Sequence, residues 1–378
     1  MATALIGARI FDGNHMLEGR AVVIENGRIA GLPHEKDLGA GVKAQRIEGL
    51  LAPGFIDTQV NGGGGVLFND ERNVDGIRAI CEAHRRYGTT GLLPTFITDT
   101  RERMAEAVKA AGEALDKRVP GMLGFHVEGP FINPERKGVH NPAYMRPLED
   151  EDIAILTSLK AGRNMVTVAP EKNDMPAIAR LARAGILVSA GHTAGDYATI
   201  TEAIRHGLRG FTHLFNAMPP LAGRDPGPVG AALDSDSTWC GLIVDGFHVS
   251  DASMRAAIAA KGIDNMMLVT DAMSSVGSNL TTFELLGKTV YRENGKLTTA
   301  DGTLAGSDLD MASGVRNIVQ RLGLSLPEAL RMASLNPAAF LKLDHELGRI
   351  AIGYRADLVL LDDDLKVLGT WINGEGSL

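Results

Sequence analysis

Apolar residues along the chain follow two different rhythms. Segments 4–10, 21–25 and 28–32 are short and rich in Ile, Val and Ala, with Asp12-Gly13 and Asn26-Gly27 between them. Asn-Gly is a strong hairpin signal, because both residues tolerate the positive φ of a tight two-residue turn. The style returns at the other end, in 357–362, in 367–372 and in a closing Asn373-Gly374. Two β-rich ends around a different middle predict a small β-sandwich domain formed from both chain termini, residues 1–51 and 345–378.

The middle, 52–344, alternates apolar strand with amphipathic helix. Candidate strands at 55–60, 91–96, 122–128, 165–169, 186–192, 210–213, 240–245 and 266–271 make eight, the number a closed parallel barrel requires. Helical spacing links Val74, Ile77, Ile80 and His84, and likewise Met104, Ala107, Val108, Ala111 and Leu115. Asp99, with Glu102 three residues on, reads as the cap of the second of these helices. Residues 274–303 read as an inserted loop or hairpin turning at Asn294-Gly295, and helices resume over 311–320 and 327–333. The expected fold class is therefore α/β: a (β/α)8 TIM-type barrel with the small sandwich beside it. An open doubly wound sheet would also explain the alternation, but its Gly-x-Gly-x-x-Gly fingerprint is missing. Asn61-Gly62-Gly63-Gly64-Gly65 follows the first strand without a closing Lys-Ser/Thr, and reads as a tight turn in preference to a phosphate cradle.

At 378 residues, 44% hydrophobic and 22% charged, the chain has ordinary globular composition, and one large core fits its length. A formal net charge of -8 without any Lys/Arg run argues against a nucleic-acid partner. Cys81 and Cys240 lie in apolar surroundings without metal or redox spacing, which predicts buried thiols and suits a reducing cytoplasm. The first eleven residues lack the basic-then-apolar pattern of a leader, and no segment has the length of a membrane span. Neither export nor a membrane partner is expected.

Polar residues cluster at the C-terminal ends of the candidate strands, where barrels carry their active sites: Gln59 and Asn61, His126 and Glu128, His192, His213, Asp245 and His248, and Asp271. One histidine alone is more often structural than a ligand. Glu128, His192 and His213, ending strands three, five and six, would converge on one axial point. They offer two nitrogens and one oxygen to a zinc-like ion, with a position left for water. Such a water becomes a nucleophile near neutral pH, as amide hydrolysis needs. Asp271 ends the eighth strand, either as a turn-capping carboxylate or as the acid/base that takes the water's proton and passes it to the leaving amine.

Several segments carry a family resemblance: Pro53-Gly54-Phe55-Ile56-Asp57, Gln59-x-Asn61-Gly62, His126-Val127-Glu128-Gly129-Pro130-Phe131, Gly191-His192-Thr193, His213-Leu214-Phe215-Asn216-Ala217-Met218, Val269-Thr270-Asp271-Ala272-Met273 and Gly353-x-x-Ala356-Asp357-Leu358. In this order, along nearly the whole chain, they resemble the N-acetylglucosamine-6-phosphate deacetylases of the amidohydrolase superfamily. The resemblance implies hydrolysis of N-acetylglucosamine 6-phosphate to glucosamine 6-phosphate and acetate, in amino-sugar catabolism or cell-wall recycling. It implies Glu128, His192 and His213 as metal ligands and Asp271 as acid/base. It also implies His140, beside Val139, as a histidine that contacts substrate and polarises the acetyl carbonyl; a solvated loop position is the alternative. Sugar and phosphate contacts map onto Asn216, Ala217, Arg224 and His248, with Asp245, Gly246 and Phe247 leading into the last, and onto Leu304, Ala305 and Gly306. Many superfamily members carry His-x-His where this chain has Gln59 and Asn61. Amides are poor ligands for a zinc-like ion, so these two are expected as neighbours of a single divalent metal. Zinc is the expected ion, with iron, cobalt and manganese as alternatives. The resemblance implies a homodimer in which Arg224 reaches the neighbouring subunit. The competing readings are a deacetylase of an epimer such as N-acetylgalactosamine 6-phosphate, and a non-catalytic sugar-phosphate sensor, which would have no use for Asp271.

Overall fold

Eight parallel strands form a barrel in the computed structural model, which describes residues 2–39 and 41–377. They are β1 (Phe55–Val60), β2 (Thr89–Ile97), β3 (Gly124–Glu128), β4 (Arg163–Val168), β5 (Leu187–Ala190), β6 (Leu208–Phe211), β7 (Trp239–Leu242) and β8 (Met266–Leu268). Each pairs with the next in sequence, and a parallel bridge between Val60 and Ala272 closes the ring. Every residue of β1, β2 and β3 is buried, as parallel strands covered by helices on one face and filled by side chains on the other must be. Helices Val74–Arg85 and Arg101–Asp116 press Ile77, Ile80, Met104, Ala107 and Ala111 onto that outer face, following the helical spacing of the sequence.

Several boundaries depart from expectation, each for a local reason. The run 4–10 is two strands, Thr3–Ile6 and Arg9–Phe11, because the chain turns at Gly7 (φ 94°) and enters a second sheet. The cap of helix Arg101–Asp116 is Thr100, whose side chain accepts from Arg103 N; Asp99 instead accepts from Thr100 N and pairs with Arg103. β8 stops at Leu268, short of 271, since the backbone there leaves the ladder: Thr270 N donates to Asp57 Oδ1 at 3.3 Å and Asp271 N to the carbonyl of Gln59 at 3.0 Å. Helix Met311–Asn317 continues as a π turn, Ile318–Leu322. The insertion after β8 is a three-stranded sheet, Thr282–Leu285, Lys288–Glu293 and Lys296–Thr299, turning at Asn294-Gly295.

The termini build two further sheets. Four strands from the N-terminal region form one; the other interleaves Arg9–Phe11, Met16–Leu17 and Leu50–Pro53 with Leu358–Leu361, Val367–Ile372 and Glu375–Ser377. Leu5, Ile10, Val22, Ile24, Leu358 and Trp371 share a core of their own. Cys81 and Cys240 are buried free thiols, and burial pushes both up to about 12. Among the described residues no helix is long and apolar enough to cross a membrane.

One polar cluster anchors the long segment between β3 and β4. The fully buried Asp152 carboxylate accepts from Arg101 Nε at 2.9 Å and Nη2 at 3.1 Å, from Arg146 Nη2 at 2.7 Å and from the backbone N of Glu149 at 3.1 Å. Replacing Asp152 with alanine takes from Arg146 its carboxylate partner, removes one of the three carboxylates around Arg101 and removes half of a capping box. A loss of roughly 3 kcal/mol is expected, read as a lowered urea midpoint against the parent. A change under about 0.5 kcal/mol, the size of an ordinary surface substitution, would show the cluster to be idle.

Candidate metal and catalytic site

Side chains from four strand ends meet at the C-terminal mouth of the barrel. Glu128 ends β3; His192 and His213 each stand two residues beyond β5 and β6; Asp271 follows β8. His192, His213 and Asp271 all have left-handed backbone, with φ of 48°, 33° and 53°. That conformation costs a residue with a Cβ about 1 kcal/mol or more, and it persists where the surrounding structure dictates it. Here it turns three polar side chains inward, where a continued strand would alternate them.

Glu128 Oε1 lies 2.8 Å from His213 Nε2 and 3.2 Å from His192 Nε2, and the two Nε2 atoms are 3.1 Å apart. The carbonyl of Arg136 accepts from His192 Nδ1 at 2.7 Å, which keeps the proton there and turns the Nε2 lone pair toward Glu128. Three electron-pair donors so close together need positive charge between them. The edges of 2.8–3.2 Å approach the roughly 3.3 Å edge of a tetrahedron with ~2.0 Å bonds, so the donor set fits a small divalent cation. Glu128, His140 and His192 also bring ligand-type atoms within 4.8 Å of one another. The shorter contacts belong to His213, and His140 Nδ1 is already engaged with Thr98 Oγ1 at 2.7 Å. His213 is therefore the better third ligand, with His140 beside it.

Electrostatics follow from burial. Desolvation would raise the Glu128 carboxyl, but His192 and His213 overcome it and hold it well below the usual carboxylate range. Burial and then the neighbouring Glu128 push Asp271 up, to about 6; a cation on Glu128 would oppose that shift. Burial, then His192, lowers His140 to about 3, so its imidazole is neutral.

A cavity of about 390 Å³ opens above these groups. It brings together Glu128, His192, His213 and Asp271 with Asn61, Val139 and His140, and its far wall carries Asn216, Ala217, His248, Leu304 and Gly306. Gln59 stands just beneath it, donating from Nε2 to Glu128 Oε2 at 3.0 Å and to Asp271 Oδ1 at 3.1 Å. Other expected positions fall outside. Arg224 is exposed on its loop, and Phe247 is 43% exposed. Ala305 is buried behind the wall, and Gly246 lies against Arg321. Asp245 is absent from the lining but accepts from His248 Nδ1 at 2.6 Å, so it orients the histidine that does line it.

Sequence reasoning also missed participants. Met273, Ile97 and Ile243 supply apolar wall, and Gly302 and Thr303 complete the rim. Thr98 bonds His140, and nothing near it in sequence points to that pairing. Asp57, fully buried and raised to about 7 by desolvation, accepts from Thr270 Oγ1 at 2.5 Å and so braces the residue before Asp271. His126 is buried between Thr95 and Thr167 at 3.1 and 2.8 Å, a structural histidine below the site. A larger groove of about 910 Å³ lies at the opposite barrel end, beside Arg28, Arg118 and Trp371, and holds none of Glu128, His192, His213 and Asp271.

Residues 50–376 match the model of the amidohydrolase family, and residues 3–51 match a NagA composite domain. Among curated proteins, the chain is 43% identical to an N-acetylgalactosamine-6-phosphate deacetylase of Shewanella sp. (strain ANA-3), covering 98% of this chain and 94% of the relative. It is 36% identical to an N-acetylglucosamine-6-phosphate deacetylase of Haemophilus influenzae, covering 99% of each. Among solved structures, N-acetylglucosamine-6-phosphate deacetylase from Pasteurella multocida superposes with a TM-score of 0.96 at 38% identity over 100% of both chains.

Proposed function

This chain belongs to the amidohydrolase family, and we propose that it hydrolyses the acetamide of N-acetyl-D-glucosamine 6-phosphate to D-glucosamine 6-phosphate and acetate. The observation that carries the reading is the convergence of Glu128, His192 and His213 beside Asp271 in one cavity. Relatives named for this reaction support the substrate. The 43% identity to the Shewanella enzyme favours a second reading, in which the epimer N-acetylgalactosamine 6-phosphate is the better substrate. Acetate release from the two sugar phosphates, compared as kcat/KM, separates them; no release from either would reject both.

Glu128, His192 and His213 would hold one divalent ion, and two nitrogens with one oxygen favour zinc. Bound there, it supplies Lewis-acid polarisation of the acetyl carbonyl and a water acidified toward neutral pH. The chain's own groups do the rest. Asp271 takes a proton from the attacking water and returns it to the leaving nitrogen. Neutral His140, with Nδ1 accepting from Thr98 O–H, presents Nε2–H to the carbonyl oxygen as negative charge gathers there. Replacing His140 with alanine is expected to lower kcat by roughly 10²-fold with little change in bound metal. A kcat within about threefold of the parent would remove His140 from the chemistry.

His248, held by Asp245, and the backbone around Asn216 and Ala217 form the sugar-phosphate contacts in this reading, with Leu304 and Gly306 opposite. Arg224 stands outside its own cavity, which fits a homodimer in which it serves the partner's phosphate site. Sedimentation of the pure protein at a monomer's mass would reject that arrangement. Metabolic relatives and free buried thiols support a cytoplasmic setting.

A further inference from the structure

Asp271 has two oxygens, and the structure treats them differently. Oδ1 accepts from Asn61 Nδ2 at 2.6 Å and from Gln59 Nε2 at 3.1 Å; Oδ2 has no hydrogen-bond partner among the described residues. The two amides stand where many related barrels place ligand histidines, yet both donate to carboxylates. Asn61 is fixed at its backbone as well, with its N donating to the carbonyl of Ala272 at 2.9 Å and its carbonyl accepting from Phe68 N at 2.9 Å. Its side chain lines the cavity although the residue is only 3% exposed. The orientation of the amide is forced, because turning it over would set Oδ1 against a carboxylate oxygen. In that orientation Oδ1 is buried and unpartnered. A buried acceptor left without a donor costs about 1–3 kcal/mol.

We infer that Asn61 connects Asp271 to the substrate's amide nitrogen: its Nδ2–H reserves one carboxylate oxygen, and its Oδ1 accepts the N–H of the scissile acetamide. This rests on the deacetylase reading and adds a positioning residue to it. In the reaction, water's oxygen bonds to the acetyl carbon and the carbon–nitrogen bond breaks. One water proton passes through Asp271 Oδ2 to that nitrogen, giving the free amine and acetic acid. A nitrogen held by Asn61 Oδ1 lies next to the carboxylate that must protonate it. The ligand chemistry is therefore a secondary amide, and the N–H is part of what the site recognises.

The test compares the parent, Asn61→Ala and Asn61→Asp on N-acetylglucosamine 6-phosphate and on 2-O-acetylglucose 6-phosphate, an ester with no N–H and a leaving oxygen that needs less help from an acid. Bound metal is measured in all three proteins. Asn61→Ala is expected to lower kcat on the amide by at least about 10²-fold and on the ester by under about tenfold, with metal content unchanged. Asn61→Asp keeps the acceptor, loses the donor, preserves volume and so guards against misfolding; it too should cost the amide more than the ester. Equal losses on amide and ester, or an amide rate within about threefold of the parent, overturns the inference. A parent that releases acetate from no N-acetylated hexosamine phosphate overturns the deacetylase reading, and this inference with it.

Discussion

Changing Asp271 to asparagine is expected to slow acetate release by roughly 10²–10⁴-fold while bound metal stays at the parent level. The asparagine retains the size of the side chain and an oxygen that can still accept from Asn61 or Gln59, so the local fold should survive. What disappears is a group able to take a proton from water and give it up to nitrogen. Burial, the largest cause of its upward shift, moves the Asp271 carboxyl toward the pH at which it can do both, while a cation on Glu128 would oppose the part that Glu128 adds. Metal analysis and steady-state kinetics on the same preparation check the prediction. Rates within tenfold of the parent would show that the proton travels another way, and loss of metal would show that Asp271 belongs to the ligand set.

Replacing His213 with alanine is expected to remove both metal and activity. With only Glu128 and His192 left, the weakening of metal binding should exceed the roughly 10–100-fold that loss of an outer hydrogen-bond partner costs. Chelation of the parent should give the same inactive state and be reversed by added zinc. The variant should stay inactive at zinc concentrations that restore the chelated parent. A variant that kept stoichiometric metal after dialysis would move the third ligand to His140, whose ring centroid is 4.5 Å from that of His192. Folding should persist in either case, because His213 Nδ1 has no protein partner to lose.

The barrel and the gathering of its strand-end residues were legible because both are written locally. Apolar runs separated by helical spacing announce the strands, and a polar residue at the end of such a run must lie at one mouth of the barrel. Glu128, His192 and His213 follow that logic although 85 residues separate the first from the last. What stayed hidden depends on pairs without any local pattern. Thr98 meets His140 across 42 positions, and Asp57 meets Thr270 across 213. Neither a threonine just past a strand nor an aspartate after Phe-Ile declares its partner. Motif likeness placed Asp245 and Phe247 at the substrate, but it could not separate the residue that faces the cavity, His248, from the neighbour that steadies it. The Thr100 cap was missed for a simpler reason: Asp99 and Thr100 are both good caps, and only the backbone decides between them.

The seam at which the barrel closes is also where Asp271 meets Asn61, two residues 210 positions apart. A growing or refolding chain can build most of its strands, and even gather Glu128, His192 and His213, before the last strand docks against the first. Metal uptake and catalytic competence should therefore appear at different times during refolding.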